Sequence, residues 1–224
     1  MPTYPRGPRL LKGAIITVAD GSSIDQVIAF QYNPSSVRRS LKPQYVDSKQ
    51  GPSLGVRFRG GPVETISLSV QIDAIDQLEN GDTGAAENGI HPQLAALELL
   101  ASPSTAQIQT ILGKLNQGAI EILPSLAPLT VFVFGTNRVV PVRLDDVTVE
   151  EETHDAALNP IRAQVSLSMS VLSYSDLDQS LPGFQIYMNY HSSRESLASS
   201  AYGEVTAVTG DSAAGDSLSY LESL

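Results

Sequence analysis

Two stretches of the chain alternate between apolar and small polar residues with a period of two, the signature of a β-strand with one face buried. In the first, Ile66, Leu68, Val70 and Ile72 alternate with Ser67, Ser69, Gln71 and Asp73. In the second, Val165, Leu167, Met169 and Val171 alternate with Ser166, Ser168 and Ser170. The polar face of both is serine, small and uncharged, where a solvent face ordinarily carries Lys, Glu, Arg or Thr. Such a face suits close approach of another subunit, or the wall of a channel that cargo passes without sticking. The plainer alternative is a solvated face that happens to be rich in serine. Ser67, Ser69, Ser166, Ser168 and Ser170 are the candidate lumen or seam residues.

The remaining chain is read around these strands. Leu11–Ala19 and Ile24–Tyr32, separated by Asp20-Gly21-Ser22-Ser23, read as a β-hairpin, which Asn33-Pro34-Ser35-Ser36 terminates. Residues 37–62 carry basic charge and no clean period, and read as a long extended loop or projecting ribbon. Residues 76–89 read as an acidic, glycine-rich loop. Leu94, Leu97 and Leu100, and then Ile108, Ile111, Leu112 and Leu115, recur at helical spacing. Pro92 suits a first helical turn, and Ser102-Pro103-Ser104 supplies a break and a cap for the second helix.

Leu129–Phe134 is apolar throughout, as in a strand covered on both faces. In the strand Val139–Val149, even-numbered Val140, Val142 and Leu144 give way to odd-numbered Val147 and Val149. One extra residue at Asp145-Asp146, a β-bulge, returns both sets to one face. Glu150-Glu151-Glu152 reads as an acidic corner before the last strand. From Ser175 the composition turns to Ser, Ala, Gly and acids, too poor in large apolar residues for a core of its own. The expectation is a mostly antiparallel β domain over 1–176, with a helical insertion at 91–117 (mainly β with inserted helix, α+β), and an extension over 177–224.

The net charge of −10 argues against a nucleic-acid partner. It is unevenly spread: residues 1–60 hold nine basic and three acidic residues, and residues 61–224 hold five basic and 21 acidic ones. Copies of such a chain can associate head to tail, with Arg38, Arg39, Lys42, Arg57 and Arg59 as a candidate inter-subunit basic arm. Ordinary solvated charges are the other reading. The absence of Cys removes disulfides and Cys-based zinc sites. No apolar run reaches membrane-spanning length and the start has no signal-peptide core, so a soluble protein made in the cytoplasm, without direct membrane insertion, is expected.

Little catalytic chemistry is legible. His91, His154 and His191 fall in different elements without metal-ligand spacing, and no HExxH, GxSxG, GxGxxG or GxxxxGK occurs. Asp76, Asn80, Gly81, Asp82 and Glu87 fall on calcium-loop positions, but Leu78 stands where a third oxygen ligand is needed. That segment reads as a solvated loop. No enzyme, no metal and no cofactor is expected. A monomeric β-sandwich glycan-binding module is the rival class, but the chain has no Trp, and Tyr174, Tyr187, Tyr190, Tyr202 and Tyr220 show no platform spacing.

Four short motifs, in order, resemble the tube and baseplate-hub proteins of contractile injection systems, the phage-tail-like particles. Phe30-Gln31-Tyr32-Asn33-Pro34-Ser35 resembles the family's F-x-Y/F-N-P signature. Phe58-Arg59-Gly60-Gly61-Pro62, followed by Ile66–Val70 and Asp73, is similar to its Gly-Gly turn and strand ending in Asp. Leu129–Gly135 resembles its apolar strand ending in W-G, with Phe134 for the Trp. Asn159-Pro160-Ile161-Arg162-Ala163 resembles its G-x-P-x-R-A.

The resemblance implies a tube-like β-sandwich or barrel and a structural role for Asn33, Pro34, Gly60, Gly61, Asp73, Gly135 and Arg162. It implies rings, by resemblance hexameric, assembled in the bacterial cytoplasm beside spike, inner-tube and baseplate or sheath proteins. A tube initiator or hub adaptor is the reading, with inner-tube or tube-cap protein as the alternative. Related hub proteins carry a C-terminal LysM module. Here Arg194–Ala198, Tyr202-Gly203 and Gly215–Leu218 echo only its opening, a degenerate remnant.

Overall fold

The structure, a computed structural model, describes residues 11–18, 23–46, 56–116 and 127–201. Seven strands, β1 (Ala14–Val18), β2 (Ile24–Ala29), β3 (Val37–Lys42), β4 (Val63–Asp73), β5 (Leu129–Val133), β6 (Val139–His154) and β7 (Pro160–Val171), form one sheet. Their spatial order is β2-β1-β5-β6-β7-β4-β3, with every neighbouring pair antiparallel. Helices α1 (Ile75–Glu79), α2 (Thr83–Asn88), α3 (His91–Glu98) and α4 (Thr105–Asn116) lie between β4 and β5, with a 3-10 turn at Leu99–Ala101; α5 (Pro182–Ser199) follows β7. The fold is mainly β with inserted helices, as the alternation predicts.

The two alternating stretches are neighbours. Ile66 lies opposite Met169, Leu68 opposite Leu167 and Val70 opposite Val165, and all six are buried. They join Ile15, Phe132, Val140 and Val142 in one core, capped by Ile90, Leu94 and Leu97 from the helical insertion. Full burial of each such side chain is worth roughly 1.5–3 kcal/mol. Thr130, Val131 and Phe132 of β5 are all buried, as a strand covered on both faces requires.

The phase slip in β6 is a bulge. Leu144 pairs with Met169 and Asp146 with Ser168, so Asp145 is the extra residue. Leu144, Val147 and Val149 consequently pack against the same core. Arg143 and Ser170 both donate to the Asp145 carboxylate, fixing the bulge from the outer face.

Three expectations need correction. Residues 37–42 are a strand, β3, on the edge of the sheet; beyond it, among the described residues, 43–46 and 56–59 form a ribbon in which Tyr45 bridges Phe58. The alternation was hidden because Arg39 occupies the inward phase between Val37 and Leu41. The acidic loop at 76–89 is mostly helix, because the Asp73 carboxylate accepts from the Ile75 amide and Asp82 caps α2 by accepting from Ala85. Glu150–Glu152 is no corner: β6 continues to His154, and the turn falls at Asp155–Asn159 instead.

The predicted second-helix cap is present as a reciprocal pair, the Gln107 amide donating to Ser104 Oγ and the Ser104 amide to Gln107 Oε1. The chain divides into a compact unit over Met1–Tyr190 and a second over His191–Leu224. The first half of α5 buries Gly183, Tyr187 and Tyr190 in the first unit. In the second, Arg194–Ala198 are helical; the echoes at Tyr202-Gly203 and Gly215–Leu218, like the turn at 19–22, lie outside the described residues.

Candidate functional site

The serines converge. Across the β4–β7 pair Ser67 lies directly opposite Ser168, Ser69 opposite Ser166, and Thr65 opposite Ser170. The face continues through Arg38 of β3, opposite Ser67, and through Asp146 and Thr148 of β6, opposite Ser168 and Ser166. It is the side of the sheet away from the core. Its centre is a patch of hydroxyls without charge, flanked by a cationic strand and an acidic one.

The five basic residues divide between three places. Arg38 and Lys42 sit in the outward phase of β3. Arg57 and Arg59 flank Phe58 on the ribbon, which is closed by hydrogen bonds from the Val46 amide to the Arg57 carbonyl and from the Arg59 amide to the Gln44 carbonyl, 2.9 Å each. Arg39 turns inward. Its Nε donates to Glu64 Oε1 at 2.8 Å and its Nη2 to the Tyr190 hydroxyl at 2.8 Å. Glu64 is only 3% exposed at its side chain. Burial alone would lower the Arg39 pKa, but the hydrogen bond and charge of Glu64, with those of Tyr190, hold it above the ordinary value. The pair ties edge strand β3 to the first half of α5.

The motif residues also meet. Asn33 Oδ1 accepts from the Gly13 amide and Asn33 Nδ2 donates to the Leu11 carbonyl, both at 2.8 Å, so one carboxamide extends the β1–β2 hairpin like a further rung. Pro34 then ends the pairing, having no amide to give. Gln31 makes the same kind of clamp to the backbone of Asp73. The Asp73 carboxylate takes Arg162, directly opposite on β7, through Nε and Nη2 to Oδ2 at 2.7 Å each.

The glycines answer to space and to backbone sign. A Cβ on Gly61 would stand 2.7 Å from Ser173 Cβ, and one on Gly60 3.3 Å from Ser175 Oγ. Gly135, at φ +73, turns the chain between β5 and β6. Phe134 beside it lies under Arg138, with Cζ 5.7 Å from the ring centroid.

Among the described residues no three His, Cys, Asp or Glu side chains gather as a metal-holding group, and no helix is long and apolar enough to cross a membrane. His154 Nε2 lies 3.1 Å from Glu151 on the exposed end of β6, and His191 3.5 Å from Glu195 on α5. The segment 76–89 that matches part of a calcium loop places Asp82 at a helix cap, and Asn80 Nδ2 donates to the Asp76 carbonyl.

No protein-family model and no curated protein matches the chain. Among solved structures, it is similar to a chain in the tail of an empty GTA particle with C6 symmetry, at 13% identity and a TM-score of 0.28, over 70% of this chain and 89% of that one. It is similar also to a chain in the virion of a native gene transfer agent particle, at 12% identity and a TM-score of 0.25, over 70% and 89% of the two chains. Likenesses so distant decide nothing for this chain.

Several of the site residues escape a sequence reading that looks only for motifs. Glu64 and Arg39 each occupy an apolar phase of an alternating strand, where a charge needs a buried partner, and that phase was the available signal. Gln31 gave none, because an amide serving as a surrogate strand looks like any polar loop residue. Asp155 sits in a turn whose Leu158 has φ +66; Asn159-Pro160 marks a turn there, but not that Asp155 is the residue that binds its amides.

Proposed function

We propose that this chain is a structural, non-enzymatic subunit of a contractile, phage-tail-like particle, forming a ring as tube initiator or hub adaptor between spike and inner tube. The observation that carries the reading is the convergence of the four motifs on one another. Gln31 from the first clamps Asp73 from the second, Asp73 pairs with Arg162 from the fourth, and Phe132 of the third packs 6.5 Å from Phe30 of the first. Residues that resemble a family in sequence thus hold each other in place here, as a shared scaffold requires. The uncharged hydroxyl face is consistent with a subunit seam or the wall of a channel, and the sheet ends on both sides in exposed edge strands, β2 and β3. The particle would be assembled in the bacterial cytoplasm.

Negative-stain imaging and light-scattering mass of the purified chain, repeated after co-expression with spike and inner-tube proteins, test the reading. Rings, or a stable complex with either partner, are expected. A chain that stays monomeric and joins neither overturns it and turns attention to glycan binding.

A further inference from the structure

The chain contains two Asn-Gly dipeptides, Asn80-Gly81 at the end of α1 and Asn88-Gly89 at the end of α2. An asparagine followed by glycine can lose its side-chain amide without an enzyme, because glycine has no Cβ to keep its own nitrogen away from the asparagine Cγ. The two dipeptides are chemically alike, so the structure around each decides between them. Asn80 and Gly81 are both exposed, and nothing lies within 4 Å of the place a Gly81 Cβ would take. Their hydrogen bonds among the described residues stay within α1: the Asn80 amide and Nδ2 donate to the Asp76 carbonyl at 3.2 and 2.6 Å, and the Gly81 amide to the Leu78 carbonyl at 3.0 Å. α1 has five residues, none of them fully buried, and a helix that short does not hold its turns alone. Gly89 is the opposite case. It is buried against β7, where an added Cβ would collide with the Pro160 carbonyl oxygen. The Ile90 amide donates to that oxygen at 2.8 Å, and Asn159 Nδ2 donates to the Glu87 carbonyl at 3.2 Å, so the chain is fastened on both sides of Asn88. Freeing the Gly89 amide means parting α2 from β7; freeing the Gly81 amide means fraying one turn of α1.

We propose that Asn80 is a site of spontaneous deamidation in the folded protein and that the packing of Gly89 protects Asn88. The turn at Asn80 frays, the Gly81 amide nitrogen gives its proton to hydroxide, and it attacks Asn80 Cγ. An N–Cγ bond forms, the Cγ–Nδ2 bond breaks, and Nδ2 leaves as ammonia with a proton from water. One water then opens the succinimide ring, at Cγ to give aspartate or at the main-chain carbonyl carbon of residue 80 to give isoaspartate. The rate follows the population of the frayed form, which is why the two sites differ. Isoaspartate lengthens the backbone by one methylene two residues before Asp82, whose carboxylate caps α2 by accepting from the Ala85 amide at 3.0 Å. Either product adds a carboxylate to a segment that already holds Asp76, Glu79 and Asp82.

The folded full chain, held at mildly alkaline pH beside a sample unfolded in guanidinium chloride, tests this. Cleavage after Glu79, Glu87 and Glu98 puts the two asparagines in separate peptides, 80–87 and 88–98, and fragment masses locate each conversion of amide to acid. In the unfolded sample both sites should convert at similar rates. In the folded chain Asn80 should convert about 10-fold faster than Asn88, or more, as expected when only one of them opens locally. Asn80→Gln alters an exposed residue and would need a larger, slower-forming ring, so the folded variant should release far less ammonia over the same period. Equal rates at the two sites in the folded chain, faster conversion at Asn88, or an Asn80 that converts only when unfolded overturns the proposal. Undiminished ammonia release from folded Asn80→Gln would do the same.

Discussion

The side chain of Gln31 stands in for a strand. Its Nε2 donates to the Asp73 carbonyl at 2.6 Å and its Oε1 accepts from the Asp73 amide at 2.9 Å, the two bonds an antiparallel neighbour would make. Gln31 follows β2, at one end of the sheet, and Asp73 ends β4, one strand from the other end. One amide therefore closes a gap that the backbone ladder leaves open. Gln31→Leu strands a donor and an acceptor of a buried residue, at a cost of about 2–3 kcal/mol. Urea unfolding should show it as a lower midpoint with an unchanged slope. An unchanged midpoint would show that the clamp contributes nothing to stability.

Asp155 governs the turn between β6 and β7. The Asn159 side chain donates to Oδ2, and the Asn159 and Ala157 amides donate to Oδ1. The Asn159 side-chain bond is the largest cause holding this carboxyl below its ordinary value. A group whose pKa is lower folded than unfolded adds stability that is complete above the unfolded value, near about 3.9. That stability is lost as pH falls through the lowered folded value. Wild type should therefore exceed Asp155→Asn in stability at neutral pH, and the gap should narrow below about pH 4. Thermal unfolding of both proteins between neutral and strongly acid pH gives the comparison; a gap that widens on acidification contradicts the assignment.

These two residues mark where sequence reading stops. Periodicity finds β4, β7, the β6 bulge and the two-sided burial of β5, because each is a statement about which face is apolar. It places the serines on one face but cannot give the register that sets Ser67 against Ser168. It loses β3 because Arg39 breaks the alternation, and Arg39 is tolerated there only because Glu64 and Tyr190, 25 and 151 residues away, receive it. Short helices, one with the Asp73 carboxylate accepting from its Ile75 amide and one capped by Asp82, look like an acidic loop until those bonds are seen. The misses share one cause: a polar side chain whose partner, side chain or backbone, is supplied by the folded chain cannot be told from a solvated one in the sequence.

Leu158 is the described residue other than glycine with positive φ, at +66, and it is 78% exposed. A left-handed conformation costs an L-residue with a Cβ about 1–2 kcal/mol, and an exposed side chain recovers little of that through packing. Leu158→Gly removes the clash but frees the unfolded chain, an offset of roughly 0.4–1 kcal/mol. The variant should come out more stable by about 0.5–1 kcal/mol, read as a higher urea midpoint. A loss of stability instead would mean that the leucine side chain packs against something in the folded protein that its exposure does not reveal.

The serine face offers the sharpest separation between fold and assembly. Ser67 and Ser168 lie opposite each other at its centre and are only half-buried, so one lysine at either position should leave unfolding within about 0.5 kcal/mol of wild type. In a ring the same change appears once per copy. At a seam, a bulky ammonium blocks close approach of the neighbour, and Ser67→Lys or Ser168→Lys should reduce the assembled mass. In a channel wall, the rings persist and a ring of added positive charge alters which cargo passes, in a salt-dependent way. Light-scattering mass and a cargo-loading assay on the same two variants separate these cases. Unchanged mass and unchanged loading would leave the face an ordinary solvated surface.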